Sequence, residues 1–140
     1  MKESLHQELH ALGEGKTTYK TEYDPNLLEK FPNPQQEIEY IIEIEAPEFS
    51  NLCPKTGQPD FATIFVTYSP AEWCLESKSF KLYIFAFRSE GAFHEEVTNR
   101  IAKDLFNFLK PNWVQVTGAF NPRGGIKFWP TVVLRKEDFE

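Results

Sequence analysis

Glu37-Ile38-Glu39-Tyr40-Ile41-Ile42-Glu43-Ile44-Glu45-Ala46 alternates between charge and apolar bulk, and this period of two sets the architecture to expect. Ile38, Tyr40, Ile42, Ile44 and Ala46 point one way and Glu37, Glu39, Glu43 and Glu45 the other, as in a strand with one wet face and one buried face. Only Ile41 breaks the outer face. A second strand runs from Phe61 to Tyr68 and stops at Ser69-Pro70. A third is expected from Ser79 to Arg88, where Phe80, Leu82, Ile84 and Ala86 oppose Lys81, Tyr83, Phe85 and Phe87. Both faces of that segment turn apolar towards its end, which marks it as central or as covered on its second face. Between Phe93 and Leu109 the period lengthens: Phe93, Val97, Ile101, Leu105 and Leu109 fall at steps of four, the stripe of an amphipathic helix, and Pro111 closes it. Trp113 to Phe120 and roughly Lys127 to Leu134 read as two more strands, joined by the turn signal Asn121-Pro122-Arg123-Gly124-Gly125. Hairpin-length connections favour an antiparallel sheet with helix layered on one face, an α+β domain.

The chain has 140 residues, 41% hydrophobic and 15% aromatic, which suffices for one cored domain. Residues 1–34 are polar and punctuated by Gly13, Gly15, Pro25, Pro32 and Pro34, and read as an N-terminal arm. Within it, Leu5, Leu9 and Leu12 are spaced for one or two helical turns ending at Gly13. Residues 35–140 form the single domain. A net charge of −6 disfavours duplex wrapping and membrane-surface binding, both of which need positive surface. Two cysteines cannot build a disulfide framework or a four-thiolate zinc site, and no apolar run reaches the length of a membrane span. A cytoplasmic, reducing location is the expectation.

Chemistry concentrates in four places. The loop Cys53-Pro54-Lys55-Thr56-Gly57-Gln58-Pro59-Asp60 sets a thiol and a carboxylate seven residues apart on a stiff connector. Cys53 is a nucleophile if something lowers its pKa, and otherwise a small buried hydrophobe. Asp60 is either a general acid or an ordinary turn carboxylate. In Glu76-Ser77-Lys78-Ser79-Phe80-Lys81-Leu82-Tyr83, two lysines three residues apart lie on opposite faces of a regular strand, or converge on one anion in a loop. Phe93-His94-Glu95-Glu96 opens the helix, where carboxylates complement the macrodipole, and holds the only histidine outside the arm. Arg123 sits on a glycine-rich turn that can approach a phosphate or simply serve solubility. Cys74, beside Trp73, looks structural. No G-x-G-x-x-G opens a helix after a strand, and no cluster offers three ligands to a metal.

Taken together, Cys53 to Asp60, Glu76 to Tyr83, His94-Glu95 and Pro122-Arg123-Gly124-Gly125 resemble the short form of the NADPH-dependent 7-cyano-7-deazaguanine reductases, the nitrile reductases of queuosine biosynthesis. The resemblance runs from about Tyr19 to Leu134. It implies the tunnelling fold, an antiparallel sheet with helices on one face, assembling into a multi-subunit barrel of stacked, decamer-like rings with sites at subunit interfaces. It also implies reduction of the substrate nitrile to a primary amine, with two NADPH consumed. By similarity, Cys53 adds to the nitrile carbon as a thioimide and Asp60 handles protons at nitrogen. Leu75, Glu76, Ser77, His94 and Glu95 contact the 7-deazaguanine base, and Lys78, Lys81 and Arg123 meet the NADPH phosphates. No metal, nucleic acid or membrane is implied.

Overall fold

A computed structural model describes residues 17–140; the turns expected around Leu5, Leu9 and Leu12 lie outside them. The elements are β1 (Lys30–Pro32), β2 (Ile42–Leu52), β3 (Pro59–Ser69), β4 (Trp73–Leu75), α1 (Ser77–Phe85), α2 (His94–Leu109), β5 (Trp113–Phe120) and β6 (Thr131–Arg135). Four of them form an antiparallel sheet in the order β2-β3-β5-β6, and β1 pairs with β4 in a small ribbon. Both helices cover one face of the large sheet. Ala62, Ile64, Val66 and Tyr68 alternate inward from β3, and Val114 and Val116 from β5. They meet Val97, Ile101, Leu105 and Leu109 of α2 and Phe80, Tyr83 and Ile84 of α1 in one cluster. The expected antiparallel α+β layering is therefore present.

The third expected strand is a helix. Residues 79–88 are apolar at both parities, which fits a doubly covered strand, but Phe80, Tyr83, Ile84 and Phe87 also fall at i, i+3, i+4 and i+7 and are buried, with the small Ser79 and Ala86 beside them. The Glu76 carboxylate settles the choice. It accepts the N–H groups of Lys78 at 2.7 Å and Ser79 at 2.8 Å and so caps α1. A 3-10 turn, Ala86–Ser89, extends the same path. Helical geometry also brings Lys78 and Lys81 onto one face, contrary to the opposite faces of a strand.

β2 begins later and ends later than the Glu37–Ala46 alternation indicates. Ile38 and Ile41 stay more than half exposed, and the Tyr40 hydroxyl donates to Asn33 Oδ1 at 2.6 Å, which holds this lead-in on the loop before it. Beyond Ala46 the strand continues to Leu52 through a register shift between Ala46 and Phe49. Pro47 is tolerated there because β2 is an edge strand with a bulge. At the other edge, β6 enters the ladder only at Thr131, after Pro130, and Lys127 to Trp129 lie outside it.

The described part of the arm packs on the domain. Leu28 is in the core, and the hydroxyls of Tyr23 and Tyr83 both donate to Asp104 Oδ2 at 2.6 Å, joining the arm to both helices. Burial, followed by the Asp104 charge, pushes the Tyr83 phenol well up.

β5 and α2 touch at Gly118. A Cβ there would lie 2.6 Å from Thr98 Oγ1 and 2.8 Å from a Phe120 ring carbon. Gly118→Ala should therefore cost about 1–3 kcal/mol, as overpacking of a filled core does. Urea unfolding checks this, with a lowered midpoint expected.

Candidate active site

The end of β2 is stitched to two segments at once. Asn51 and Leu52 still pair with Asp60 and Pro59 of β3, while Leu52 N–H donates to Glu90 O at 3.0 Å and Leu52 O accepts from Ala92 N–H at 3.1 Å. The buried Asn51 amide adds a bond to Ala92 O at 2.9 Å. Cys53 follows Leu52 and Phe93-His94-Glu95 follow Ala92, so this seam places the thiol beside the start of α2. The two sequence motifs become one site.

The Cys53 loop is closed on itself. Cys53 N–H donates to Gln58 O at 2.8 Å, Gly57 N–H to Cys53 O at 2.9 Å and Gln58 N–H to Thr56 Oγ1 at 3.2 Å. Gly57 has φ of +71°, a conformation that glycine adopts freely. The loop leaves Cys53 only 8% exposed and turns donors towards its sulfur. The Thr56 hydroxyl acts most strongly, then the Thr56 and Lys55 amides, with Arg123 also contributing; burial pulls the other way and is outweighed, so the thiol falls to about 7. A thiol so placed is substantially thiolate at neutral pH.

Asp60 is buried within β3 and is approached from two sides. Arg123 Nη2 donates to its Oδ1, and His94 Nε2 lies 3.6 Å from its Oδ2. Asn121 N–H donates to Phe61 O at 2.9 Å, which anchors the β5–β6 turn that carries Arg123. The His94 ring stacks on Phe120 with centroids 3.8 Å apart and planes 5° from parallel. Below it, Thr98 Oγ1 donates to His94 O at 2.7 Å. Imidazole and guanidinium are thus both fixed before any ligand arrives.

At the helix start, Glu96 accepts the Phe93 N–H at 3.2 Å and is used as a cap. Glu95 remains exposed with no partner for its carboxylate among the described residues, so it is available to a ligand. Phe93, expected to lead the buried stripe of α2, is instead its N-cap and 48% exposed.

The other expected site residues lie elsewhere on the chain. Leu75, Ser77 and Lys81 line an open, largely apolar cavity of about 700 Å³ between β2 and α1, and none of Cys53, Asp60, His94 or Arg123 borders it. Leu75 N–H donates to the Tyr68 hydroxyl at 2.9 Å, and the Glu76 carboxylate is occupied as the α1 cap. Lys78 and Lys81 are exposed on α1 and pair with no carboxylate among the described residues. Arg123, expected with those lysines, is on Asp60. Thr56 and Asn51 were not candidates from the sequence. The turn at Thr56-Gly57 was the available signal for the first, whereas Asn51 depends on strand register.

An antiparallel α+β fold that gathers a buried cysteine of lowered pKa and a buried, arginine-paired carboxylate at neighbouring strand ends has the residue types of an enzyme's active site. Residues 59–138 match the profile of the family described as QueF-like protein. The chain is 51% identical over 124 residues to the NADPH-dependent 7-cyano-7-deazaguanine reductase of Streptococcus mutans, covering 89% of this chain and 76% of that one. It is 52% identical over 123 residues to the Parabacteroides distasonis protein of the same name (88% and 78%) and 49% identical over 129 residues to that of Bacillus subtilis (92% and 78%). A crystal structure of the archaeosine synthase QueF-Like in the apo form shares the fold, with a TM-score of 0.59 at 19% identity, over 68% of this chain and 91% of that one. The chain belongs to the QueF-like family, that of the NADPH-dependent 7-cyano-7-deazaguanine reductases.

Iodoacetamide should alkylate Cys53 with a rate that rises through a midpoint of about 7. Thr56→Val, which removes the strongest donor, should move that midpoint up towards the ordinary thiol value of about 8.5. An unchanged midpoint would contradict the assignment.

Proposed function

We propose that this protein reduces the nitrile of 7-cyano-7-deazaguanine to the aminomethyl group, in queuosine biosynthesis, with NADPH as reductant. The observation that carries the reading is a thiol lowered to about 7 in a closed loop, with a buried carboxylate within the same site. A nitrile carbon is a poor hydride acceptor, and covalent attachment to a thiolate turns it into a better one. The Cys53 sulfur adds to that carbon, the proton it gives up passes by way of Asp60 to the nitrile nitrogen, and the product of the addition is a thioimide. After the first reduction the same donors that stabilise the Cys53 thiolate favour its departure, which leaves an imine. Enclosure of the site protects that imine from water.

Glu95 is the acceptor for the N–H edge of the base, and its free carboxylate suits paired donors. The exposed Phe93 ring offers a flat apolar surface to a planar heterocycle. His94 sits where it can exchange protons with Asp60 or the nitrile nitrogen.

When bound, NADPH supplies two hydrides. The residues fit such a group: Lys81 lines an open cavity and Lys78 is exposed on the same face of α1, neither paired with a carboxylate among the described residues, a suitable place for phosphates. Arg123 reaches a phosphate only by leaving Asp60. The separation of this cavity from Cys53 on one chain supports a site completed between copies, with Leu75, Ser77 and Lys81 contributed across an interface of a ring-forming homo-oligomer. The described residues contain no helix long and apolar enough to cross a membrane, and a cytoplasmic location is part of the proposal.

The test is NADPH oxidation followed at 7-cyano-7-deazaguanine concentrations below that of the cofactor. Two NADPH are expected per nitrile, and none with Cys53→Ala; oxidation independent of the nitrile would sink the reading. Glu95→Gln should raise the KM for the base roughly tenfold or more, since a hydrogen bond to a charged group contributes about 1.5–3 kcal/mol. An unchanged KM would remove Glu95 from the base site.

A further inference from the structure

We propose that Phe120 is a positioning residue for His94, holding the imidazole flat against its own ring so that Nε2 faces Asp60 while both ring nitrogens stay free for proton exchange. Among the described residues no hydrogen bond reaches either of those nitrogens; Asp60 Oδ2 stands 3.6 Å from Nε2, beyond hydrogen-bond range. A histidine ring turns about a broad, roughly two-fold torsion, so an imidazole without such a bond has no fixed plane of its own. What holds this one is the stack on Phe120, with centroids 3.8 Å apart and planes 5° from parallel.

The platform under His94 is built into β5. Phe120 is the last residue of that strand and 1% exposed. Its ring lies across Gly118, two residues back on the same face, where a Cβ would meet two carbons of that ring at 2.8 and 3.3 Å. Phe49 of β2 meets the ring edge-on at 87° with centroids 6.1 Å apart, and the Trp129 indole Nε1 donates to Phe120 O at 3.3 Å. Held across Gly118, at its edge and through its backbone, the Phe120 ring is the rigid partner of the pair. The imidazole, 15% exposed, is the one that follows.

Orientation by a ring face instead of a hydrogen bond matters chemically. A carbonyl or carboxylate bound at one nitrogen would fix the tautomer and occupy that nitrogen. Phe120 fixes the plane and leaves the tautomer open, so Nε2 can accept a proton or give one. This rests on the reductase reading above, in which His94 exchanges protons with Asp60 or the nitrile nitrogen.

The test uses the full chain and reads the ring and the reaction separately. His94 is the only histidine outside residues 1–16, where His6 and His10 lie, so its imidazole resonances are assigned by comparison with His94→Gln. At about pH 9, where free histidine is neutral, the Cε1 proton of His94 should lie upfield of those of His6 and His10 because it sits over the Phe120 face, and Phe120→Leu should return it to their range. Phe120→Leu should also lower kcat about tenfold or more while the KM for the base changes by less than about twofold, since misplacing a group that transfers a proton costs rate and not binding. Phe120→Met is the second variant should the leucine variant not fold, its flexible side chain filling the same space without a flat face. Val114→Ala, buried six residues earlier on β5, controls for a loosened core and should keep kcat near the wild-type value. A wild-type resonance that is not upfield, one that stays upfield without the Phe120 ring, an unchanged kcat, or an equal fall in kcat with Val114→Ala would each overturn the proposal. Failure of the reductase reading looks different: no nitrile-dependent NADPH oxidation in wild type, with the resonance shift still present.

Discussion

The carboxylate of Asp60 is the constraint around which the site is organised. It lies inside a strand, 7% exposed, where an uncompensated ion costs on the order of several kcal/mol. Its charge partner comes from the turn between β5 and β6 through Arg123, and the first residue of α2 sets the His94 ring 3.6 Å from its other oxygen. Neither group is near Asp60 in sequence. Burying this carboxylate therefore ties β3 to α2 and to the β5–β6 turn. Cys53 is made acidic first by its own loop, through the Thr56 hydroxyl and the Thr56 and Lys55 amides, so the thiol and the carboxylate each have their own set of supporting groups.

The rest of the architecture serves the seam at Leu52. An edge strand ordinarily leaves one row of backbone groups unpaired, yet the last residues of β2 give theirs to Glu90 and Ala92. This brings a reactive loop and a helix start to the same point, and α2 is held there by a core filled tightly enough that Gly118 has no room for a methyl group. Positioning of this kind depends on rigid elements carrying the loops, and both flanking elements are anchored in the main core.

Much of this was legible in the sequence wherever one periodicity excluded another. Phe61 to Tyr68, Val97 to Leu109 and Trp113 to Phe120 each carry a single clean period, and each forms the element expected. Residues 79–88 failed because an apolar run at both parities satisfies two periods, and the deciding residue, Glu76, lies outside the run and acts through its side chain. The ends of β2 failed for a related reason: alternation continues through Ile38 and Tyr40, but Tyr40 is drawn to Asn33, and the bulge beyond Ala46 breaks the alternation where the strand continues. Of the site, the reactive types could be read at Cys53, Asp60, His94 and Glu95. Their partners could not. That Arg123 meets Asp60, and that Asn51 ties Ala92 to the thiol loop, follow from strand register and turn placement across more than forty residues.

The site on one chain holds the thiol, the carboxylate, the histidine and a free Glu95, while Lys81 of α1 lines a separate cavity. On this account the covalent half of the chemistry is built from the first group and does not need the second. Intact mass of the protein mixed with 7-cyano-7-deazaguanine, with NADPH withheld, tests that directly. The account predicts a gain equal to one molecule of the base on the wild-type chain and none on Cys53→Ala. No gain on the wild type, or an equal gain on Cys53→Ala, would contradict it.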